Sequence, residues 1–540
     1  MTTTRNRWIG LVFISMAISL VIIDGTIVNT IFPSVIEALK LTSTEVQWVQ
    51  ESYVLVFASL LLVWGSLADR FGRKRILLIG VAIFIASSVW AGLSEDATTM
   101  IAARVVQGIG GSMVLPTTLS LVNANFQGKE RGIAFAVWGA TIGGMVAIGP
   151  VLGGWFATSF GDEGWRLAFN INLPIGLIVM AGLIYWVAES KQTQRAGGLD
   201  FVGAAISVIM FLTLVFGLIE GRVYGWWEQT TTPFVIGNFA WPTDTISVIP
   251  VSLGIFVIAA FAFYFWERHL EKAGKNVLLD LNLFRISSFR NGSIAALIIS
   301  MGEFGLLFAI PLWLQSVLGL APIESGLVLL FLAGGAFLAS GVGGALSGKI
   351  PAATVVRLGV GLEMVAVVSV AVFANVETGW ISIAPSLLIY GIGVGLATAQ
   401  LTGVIMVDVP MEKTGQGSGT QSTARQIGSA LGIAVLGTLL FTGTQNSIDE
   451  RLANLDVSKE QASVISTLVV DSAGSIIPAL PEVIASNPEL QSLVGKSAEI
   501  QSAAGDGFTD GTKFSAWAAG AFLGLGFLSS FRLGSRTRKK

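Results

Sequence analysis

GSLADRFGRKR, residues Gly65 to Arg75, decides how this chain is read. It sets Asp69 and four cations (Arg70, Arg73, Lys74 and Arg75) between an apolar run ending at Trp64 and another beginning at Ile76. So dense a charge cluster cannot lie in hydrocarbon, so it is a short loop at a membrane face. Four cations in one loop place it on the cytoplasmic side.

Composition agrees with a membrane reading. Of 540 residues, 53% are hydrophobic and 12% charged. A soluble chain carries about twice that charged fraction. The expected class is therefore an all-α polytopic membrane protein. A net charge of −2 names no partner. The lack of cysteine excludes disulfides, thiolate metal sites and cysteine nucleophiles. The single histidine, His269, stands in the polar WERHLEKAGK and reads as a solvated loop residue. The first apolar run follows MTTTRNR but is too long for a signal peptide, so it reads as a span.

A span takes about 20 mostly apolar residues. By that rule about fourteen are expected, near 8–32, 46–66, 76–93, 98–122, 132–158, 165–187, 200–221, 246–266, 291–313, 323–346, 354–374, 380–406, 417–442 and 514–533. With Gly65–Arg75 inside, the inner segments hold Arg5, Arg7, Lys129, Arg131, Lys191, Arg195, Arg268, Lys272, Lys275, Arg285, Arg290, Lys349, Lys413 and the RTRKK tail. The outer ones hold Lys40, Arg222, Arg451, Lys459 and Lys496. This bias puts both termini inside.

Two outer segments are long. Residues 222–245 carry Trp226, Trp227 and Trp241, as in an interfacial belt. Residues 443–513 are acidic, with amphipathic helical spacing, and read as a small helical cap or a partner surface. GALSGKI (344–350) weakly repeats GSLADRF, which suggests two six-helix groups. The expected units are residues 1–190, a linker of two extra helices at 191–275, and 276–540 including the cap.

Acids at membrane depth are functional candidates. Asp24 lies about 13 Å from the outer end of the first span. Glu303 is similarly deep in the ninth span, and Glu51 lies one or two turns into the second. A buried carboxylate can exchange a proton for a cationic ligand. Arg104 is a candidate counter-ion for Asp24; a structural ion pair is the simpler alternative. Glu363 and Glu220 read as peripheral. Trp48, Tyr53, Trp138, Met145 and Trp313 are candidates to line an adaptable cavity or simply to pack. No ATP site is visible: GGALSGKI has Ile350 where a phosphate loop needs Ser or Thr. GIGG (108–111) and GIGVG (391–395) read as close helix packing.

GSLADRFGRKR resembles the loop between the second and third helices of the major facilitator superfamily. DGTIVNTIFP (24–33), RVVQGIGG (104–111), GPVLGG (149–154), GWRLAFNINLPIG (164–176), LDLNLFRISSFR (279–290), PLWLQSVLG (311–319), RQIG (425–428) and FTDG (508–511) resemble its fourteen-helix drug:proton antiporter branch, similar to the quaternary-ammonium exporters. The likeness covers nearly all of the chain except 222–245 and most of 443–507. Thr30, Phe32, Glu51 and Met145 depart from the branch pattern.

The resemblance implies a proton-coupled antiporter exporting lipophilic, preferentially cationic, drugs across a bacterial cytoplasmic membrane. An exporter of a native lipid or metabolite is the alternative. A symporter fits Gly149–Pro150 less well, and a receptor or enzyme would need a nucleotide or metal constellation. The implied partners are a lipophilic small molecule, protons and the bilayer, with no cofactor, nucleic acid or ATPase subunit; a partner for the outer region is unknown. Asp24, Arg104, Glu303 and Glu51 are the expected coupling and cavity residues. Gly65, Asp69, Arg70, Gly72 and Arg73 form the expected conformational latch. The resemblance sets Asp69 against the start of the second-to-last helix, near Gly417 and Ser418, bracketed by Arg70 and Arg73. Gly149, Pro150, Gly153 and Gly154 form the expected antiporter motif, facing the tenth span's GGAFLASGVGGALSG.

Overall fold

A computed structural model describes residues 4–533 except 42, 191–199, 231–232, 237–238, 243–244 and 347–348. Lys191, Arg195, part of the GALSGKI repeat and the RTRKK tail lie outside the described residues. The apolar runs form helices because a backbone in lipid must bond to itself. In order they are α1 (Thr4–Leu39), α2 (Ser43–Phe71), α3 (Arg73–Gly92), α4 (Ala97–Asn125), α5 (Gly128–Phe160), α6 (Gly164–Asn170), α7 (Asn172–Trp186), α8 (Phe201–Tyr224) and α9 (Val248–Lys272). Then follow α10 (Ser287–Ser316), α11 (Pro322–Leu346), α12 (Ala352–Phe373), α13 (Ala384–Met406), α14 (Thr414–Ala453), α15 (Lys459–Asp471), α16 (Leu480–Ser486) and α17 (Ser497–Ser530).

Among the described residues, 13 helices are long and apolar enough to cross a membrane. One of them, Ile148–Trp186, runs 39 residues and is broken by a 3-10 turn at Gly161–Glu163. The fifth and sixth expected spans lie on either side of that break. Gly161 takes φ +53° there, a left-handed value that favours glycine.

Two groups of helices pack against each other. In the first, α1 packs on α5 and α7, and α4 on α2 and α3. In the second, α14 packs on α10 and α17, and α13 on α11 and α12. Contact between the groups runs through α5 against α11 and α13, and through α2 against α14. The helices α8 and α9 pair with each other, and α8 also touches α2 and α14. The outer face of α9 exposes Ile258, Phe261 and Phe265, which suits contact with lipid.

The expected outer region is not a separate appendage. At 40 residues α14 is about 60 Å long, twice the hydrocarbon thickness. It and α17 continue beyond the expected spans and carry the cap between them. Ile448, Leu452, Ile465, Val469, Leu480, Ile484, Leu490 and Ile500 are all fully buried there. Arg451 joins the two long helices through Asp510 at 2.8 Å and Asp506 at 3.4 Å. Within 222–245, a two-residue hairpin pairs Val235–Ile236 with Phe239–Ala240, the one strand pairing among the described residues. Trp227 is exposed there, whereas the Trp241 indole donates to the Ile246 carbonyl at 2.9 Å.

Candidate functional site

Three places gather the side chains singled out above: a buried acid–arginine site in each helix group, and a clasp joining α2 to α14.

In the first group Asp24 is fully buried on α1. Its Oδ2 accepts from Arg104 Nη1 at 2.7 Å. Its Oδ1 accepts from Gln107 Nε2 at 2.8 Å and from Asn172 Nδ2 at 3.1 Å. The same Arg104 Nη1 donates to Gln107 Oε1 at 2.6 Å, and Arg104 Nε donates to the Val49 carbonyl at 3.4 Å. The guanidinium lies 4.4 Å from the Tyr53 ring centre. Asn172 also donates to Ser88 Oγ at 2.8 Å, which in turn donates to the Phe169 carbonyl. Residues of α1, α2, α3, α4 and α7 thus surround one neutral pair, and both carboxylate oxygens are satisfied. Charge-assisted bonds of this kind are about twice as strong as neutral ones.

Sequence reasoning proposed the Asp24–Arg104 pairing but gave Gln107 and Asn172 no role. A signal for Gln107 existed. It follows Arg104 by three residues, so the two share a helix face. Asn172 stands beside Asn170 in AFNINLPIG, and only the fold shows which of the two reaches Asp24.

The second group holds a different arrangement. Glu303 on α10 is 4% exposed, and its Oε2 lies 3.3 Å from Nη2 of Arg425 on α14. The Tyr390 hydroxyl on α13 donates to the Glu303 main-chain carbonyl at 3.2 Å. Glu363 on α12 lies within electrostatic reach of both Glu303 and Arg425. It is fully buried, and among the described residues neither of its carboxyl oxygens has a hydrogen-bond partner. The peripheral reading of Glu363 is therefore corrected. The bundle's packing turns this face of α12 inward, where an isolated apolar run gives no direction. Gly393 makes room for it, since a Cβ there would sit 2.6 Å from Glu363 Cγ. Glu220 is likewise buried, on α8, with Oε2 unpartnered.

Glu51 joins neither site. Its Oε2 has no partner, and it lies on α2 between Trp48 and Leu55, which pack against Val215, Phe216 and Ile219 of α8. Two aromatic cavity candidates serve packing instead. The Trp313 indole donates to Thr509 Oγ1 at 2.9 Å and that of Trp138 to Thr118 Oγ1 at 3.3 Å, and both rings are buried. Burying such a ring requires a partner for its N–H, and a nearby hydroxyl supplies it.

At the clasp, Asp69 is fully buried and caps the N-terminus of α14 from another helix. Oδ1 accepts from the Gly415 N–H at 2.8 Å and Oδ2 from the Gln416 N–H at 3.1 Å. These positions lie two residues before those expected, because α14 begins at Thr414. The residue preceding it, Lys413, makes no side-chain cap. A carboxylate here satisfies orphan donors and meets the positive end of the helix dipole.

Arg73 holds the same Asp69 Oδ1 from Nη2 at 2.7 Å and from Nε at 3.1 Å. It also donates to the Met411 carbonyl and to Ser190 Oγ, each at 2.8 Å. Arg70 does not bracket Asp69; it lines a cavity of about 280 Å³ beside Phe71, Asp200 and Phe201. Arg73 opens α3 just after the turn at Gly72, and that turn brings its guanidinium back onto Asp69 near the end of α2.

Gly65 permits the crossing, since a Cβ there would lie 2.5 Å from the Gly415 carbonyl. Gly72 takes φ +109° between α2 and α3. A Cβ on it would strike the Glu189 carboxylate at 2.7 Å. That carboxylate accepts from the Lys74 and Arg75 N–H groups at 3.0 and 3.1 Å, capping α3. Sequence reasoning missed Glu189, which is distant along the chain.

The α5 motif packs on two partners. A Cβ on Gly149 would collide with Thr26 Oγ1, and one on Gly153 would meet Thr30 Cβ at 2.9 Å, both on α1. A Cβ on Gly154 would lie 2.8 Å from Ile323 Cβ of α11, and one on Gly326 of α11 would lie 3.3 Å from the Pro150 carbonyl carbon. The expected partner helix is thus met at its first turns rather than along GGAFLASGVGGALSG. Within that stretch Gly335 faces the Leu388 carbonyl of α13.

The sequence matches the profile of the Major Facilitator Superfamily over residues 14–251 and 230–433. It is 32% identical over 445 residues to a probable actinorhodin transporter of Streptomyces coelicolor, covering 81% of this chain and 73% of that one. It is 29% identical to the multidrug resistance protein Stp of Mycobacterium tuberculosis, covering 88% and 84%. At 28% identity it covers 83% of the multidrug efflux pump LfrA of Mycolicibacterium smegmatis and 83% of itself. Two solved structures share the fold. The human organic anion transporter MFSD10 superposes with TM-score 0.60 at 11% identity, covering 97% of this chain and 99% of that one. The proton:xylose symporter XylE does so with TM-score 0.56 at 14% identity, covering 97% and 95%. With two packed helix groups, a clasp between them and a profile match across both, this multi-pass membrane chain belongs to the major facilitator superfamily of transporters and is not an enzyme.

Proposed function

We propose that the protein is a proton-coupled antiporter that exports lipophilic, preferentially cationic compounds from the cell. Asp24 is the observation that carries this reading. It is a fully buried carboxylate paired with a permanent cation, Arg104 at 2.7 Å. The relatives named for drug resistance and efflux support export. Separating Asp24 from Arg104 favours proton uptake by the acid, and bringing them together favours release. Glu303 with Arg425 supplies the second acid–arginine pair, and Glu51 a third acid toward α8. In this reading fourteen spans cross the bacterial cytoplasmic membrane with both termini inside. The units 1–190 and 276–540 rock against each other, flanked by 191–275. The Asp69 clasp shuts the cytoplasmic end, while the α5 motif of Gly149, Pro150, Gly153 and Gly154 seals the outer one.

The test is a proteoliposome assay with an imposed pH gradient, using ethidium, an anionic drug and a labelled lipid as probes. Ethidium transport is expected to follow the gradient and to be lost in Asp24→Asn, with Glu303→Gln impaired. Transport indifferent to the gradient overturns antiport. Movement of the lipid alone would favour the native-lipid alternative. Export of a native metabolite is the second reading, favoured by the likeness to a probable actinorhodin transporter.

A further inference from the structure

The charges of the second buried site do not balance. Glu303 and Glu363 contribute two carboxyls and Arg425 one guanidinium. If both acids are ionised, the trio carries a net −1 in the interior of the helix bundle. Arg425 is engaged with Glu303, while the Glu363 carboxyl has no hydrogen-bond donor at either oxygen. A carboxylate left buried, unpaired and without donors is strongly disfavoured against its neutral acid, which needs a proton.

The neighbours offer no other remedy. From α13, Tyr390 spends its hydroxyl on the Glu303 main-chain carbonyl. Also from α13, Gly393 presents only backbone to Glu363. From α17, the segment between Lys513 and Arg532 contains no ionisable side chain. On α12 itself Arg357 lies six residues away, with its guanidinium 5.1 Å from the Phe531 ring centre.

We propose that Glu363 is a proton-binding residue of the second helix group, holding the one excess proton that the Glu303–Glu363–Arg425 trio requires. This rests on the antiport reading above for its place in transport, but not for its existence. Binding forms an O–H bond on Glu363 and takes the trio from −1 to 0. Release restores −1, which a monovalent cation entering the bundle can balance. Arg425 can then serve either acid, so Glu303 and Glu363 titrate as a pair rather than separately.

Infrared difference spectroscopy on the full-length protein in lipid vesicles tests this, reading the carbonyl stretch of a buried carboxylic acid between neutral and alkaline pH. The wild type is expected to show the band and lose it reversibly as pH rises. Glu363→Gln should diminish the band, leaving what other unpartnered acids such as Glu220 contribute, while keeping the helical circular dichroism of the wild type. Arg425→Gln should instead enlarge it, because two acids then lack their cation. Asp24→Asn should leave it unchanged. A band that persists undiminished in Glu363→Gln overturns the proposal, as does an Arg425→Gln band equal to the wild type's. Ethidium exchange measured on the same vesicles separates the two questions. A titrating Glu363 band without gradient-driven exchange would sink antiport and leave the assignment standing.

Discussion

The two helix groups each bury an acid beside an arginine, yet the two sites are built differently. Around Asp24, one cation and two amides satisfy one carboxylate completely. Around Glu303 and Glu363, one cation serves two carboxyls, and one of them is left without donors. The first site is complete in charge and hydrogen bonds in this arrangement, so Asp24 responds only when Arg104 moves away from it. The second is short of one positive charge, so its state depends on what the solvent delivers. The lesson is that a buried acid is identified as responsive by what it lacks, not by burial alone.

That contrast can be broken at several points. Removing the Arg104 cation should do the greatest damage, because it breaks a fully satisfied buried pair and leaves Asp24 without its cation among donors that suit the carboxylate. Arg104→Gln is expected to cost about 3–5 kcal/mol, read as a fall in thermal unfolding temperature in nanodiscs. Arg425→Gln should cost clearly less, since protons can replace its charge; equal losses would erase the distinction between the sites.

Next is the clasp. Asp69→Asn removes the charge that caps α14 and pairs with Arg73, at about 1–2 kcal/mol. The chain has no cysteine, so a single cysteine introduced at Ser66 reports the opening of this end. Thiol labelling should accelerate in the Asn variant. Unchanged labelling would mean that Asp69 only stabilises and does not hold the end shut.

Smaller effects sharpen the picture. Asn172→Ala deletes one of three donor residues at Asp24 and is expected to cost about 1 kcal/mol, by the same unfolding measurement. In the second group, Gly393→Ala should perturb the Glu363 acid band because the new methyl presses on Cγ. Gly334→Ala on α11 meets nothing within 4 Å and serves as the control expected to change nothing.

The smallest expected effect lies outside the membrane. Burial pushes the Asp280 carboxyl up, but the hydrogen bonds from Lys413 and Asn282 outweigh it and hold it below its ordinary range. A carboxyl depressed in the folded state stabilises above its unfolded pKa, and that contribution fades as pH falls through the lower folded value. Being partly exposed, the pair is worth less than about 1 kcal/mol. Lys413→Met should therefore flatten the acid side of the stability profile slightly and leave the alkaline side alone.

Much of this was legible before any coordinates. GSLADRFGRKR announced a membrane-face loop, since five charged side chains in eleven residues have no place in lipid. Apolar runs near the length of a bilayer declared the helices. The depth of Asp24, Arg104 and Glu303 marked them as candidates, because charge in hydrocarbon demands a reason. What one-dimensional reasoning missed follows a pattern. Glu363 looked peripheral, Arg70 looked equivalent to Arg73, and Glu189, Gln107 and Asn172 had no role at all.

Sequence by itself determined the solvent of each segment: hydrophobic length and charge clusters are sums over neighbouring residues, and burial free energy follows such sums. Tertiary structure alone decided the partners. Asp69 meets Gly415 and Gln416 across more than three hundred residues, and Asp24 meets Asn172 across nearly one hundred and fifty. Hydrogen bonds and ion pairs act over a few ångströms and depend on helix rotation and crossing. The balance of charge at the two buried sites, full at Asp24 and one short at Glu363, exists only once those helices have packed.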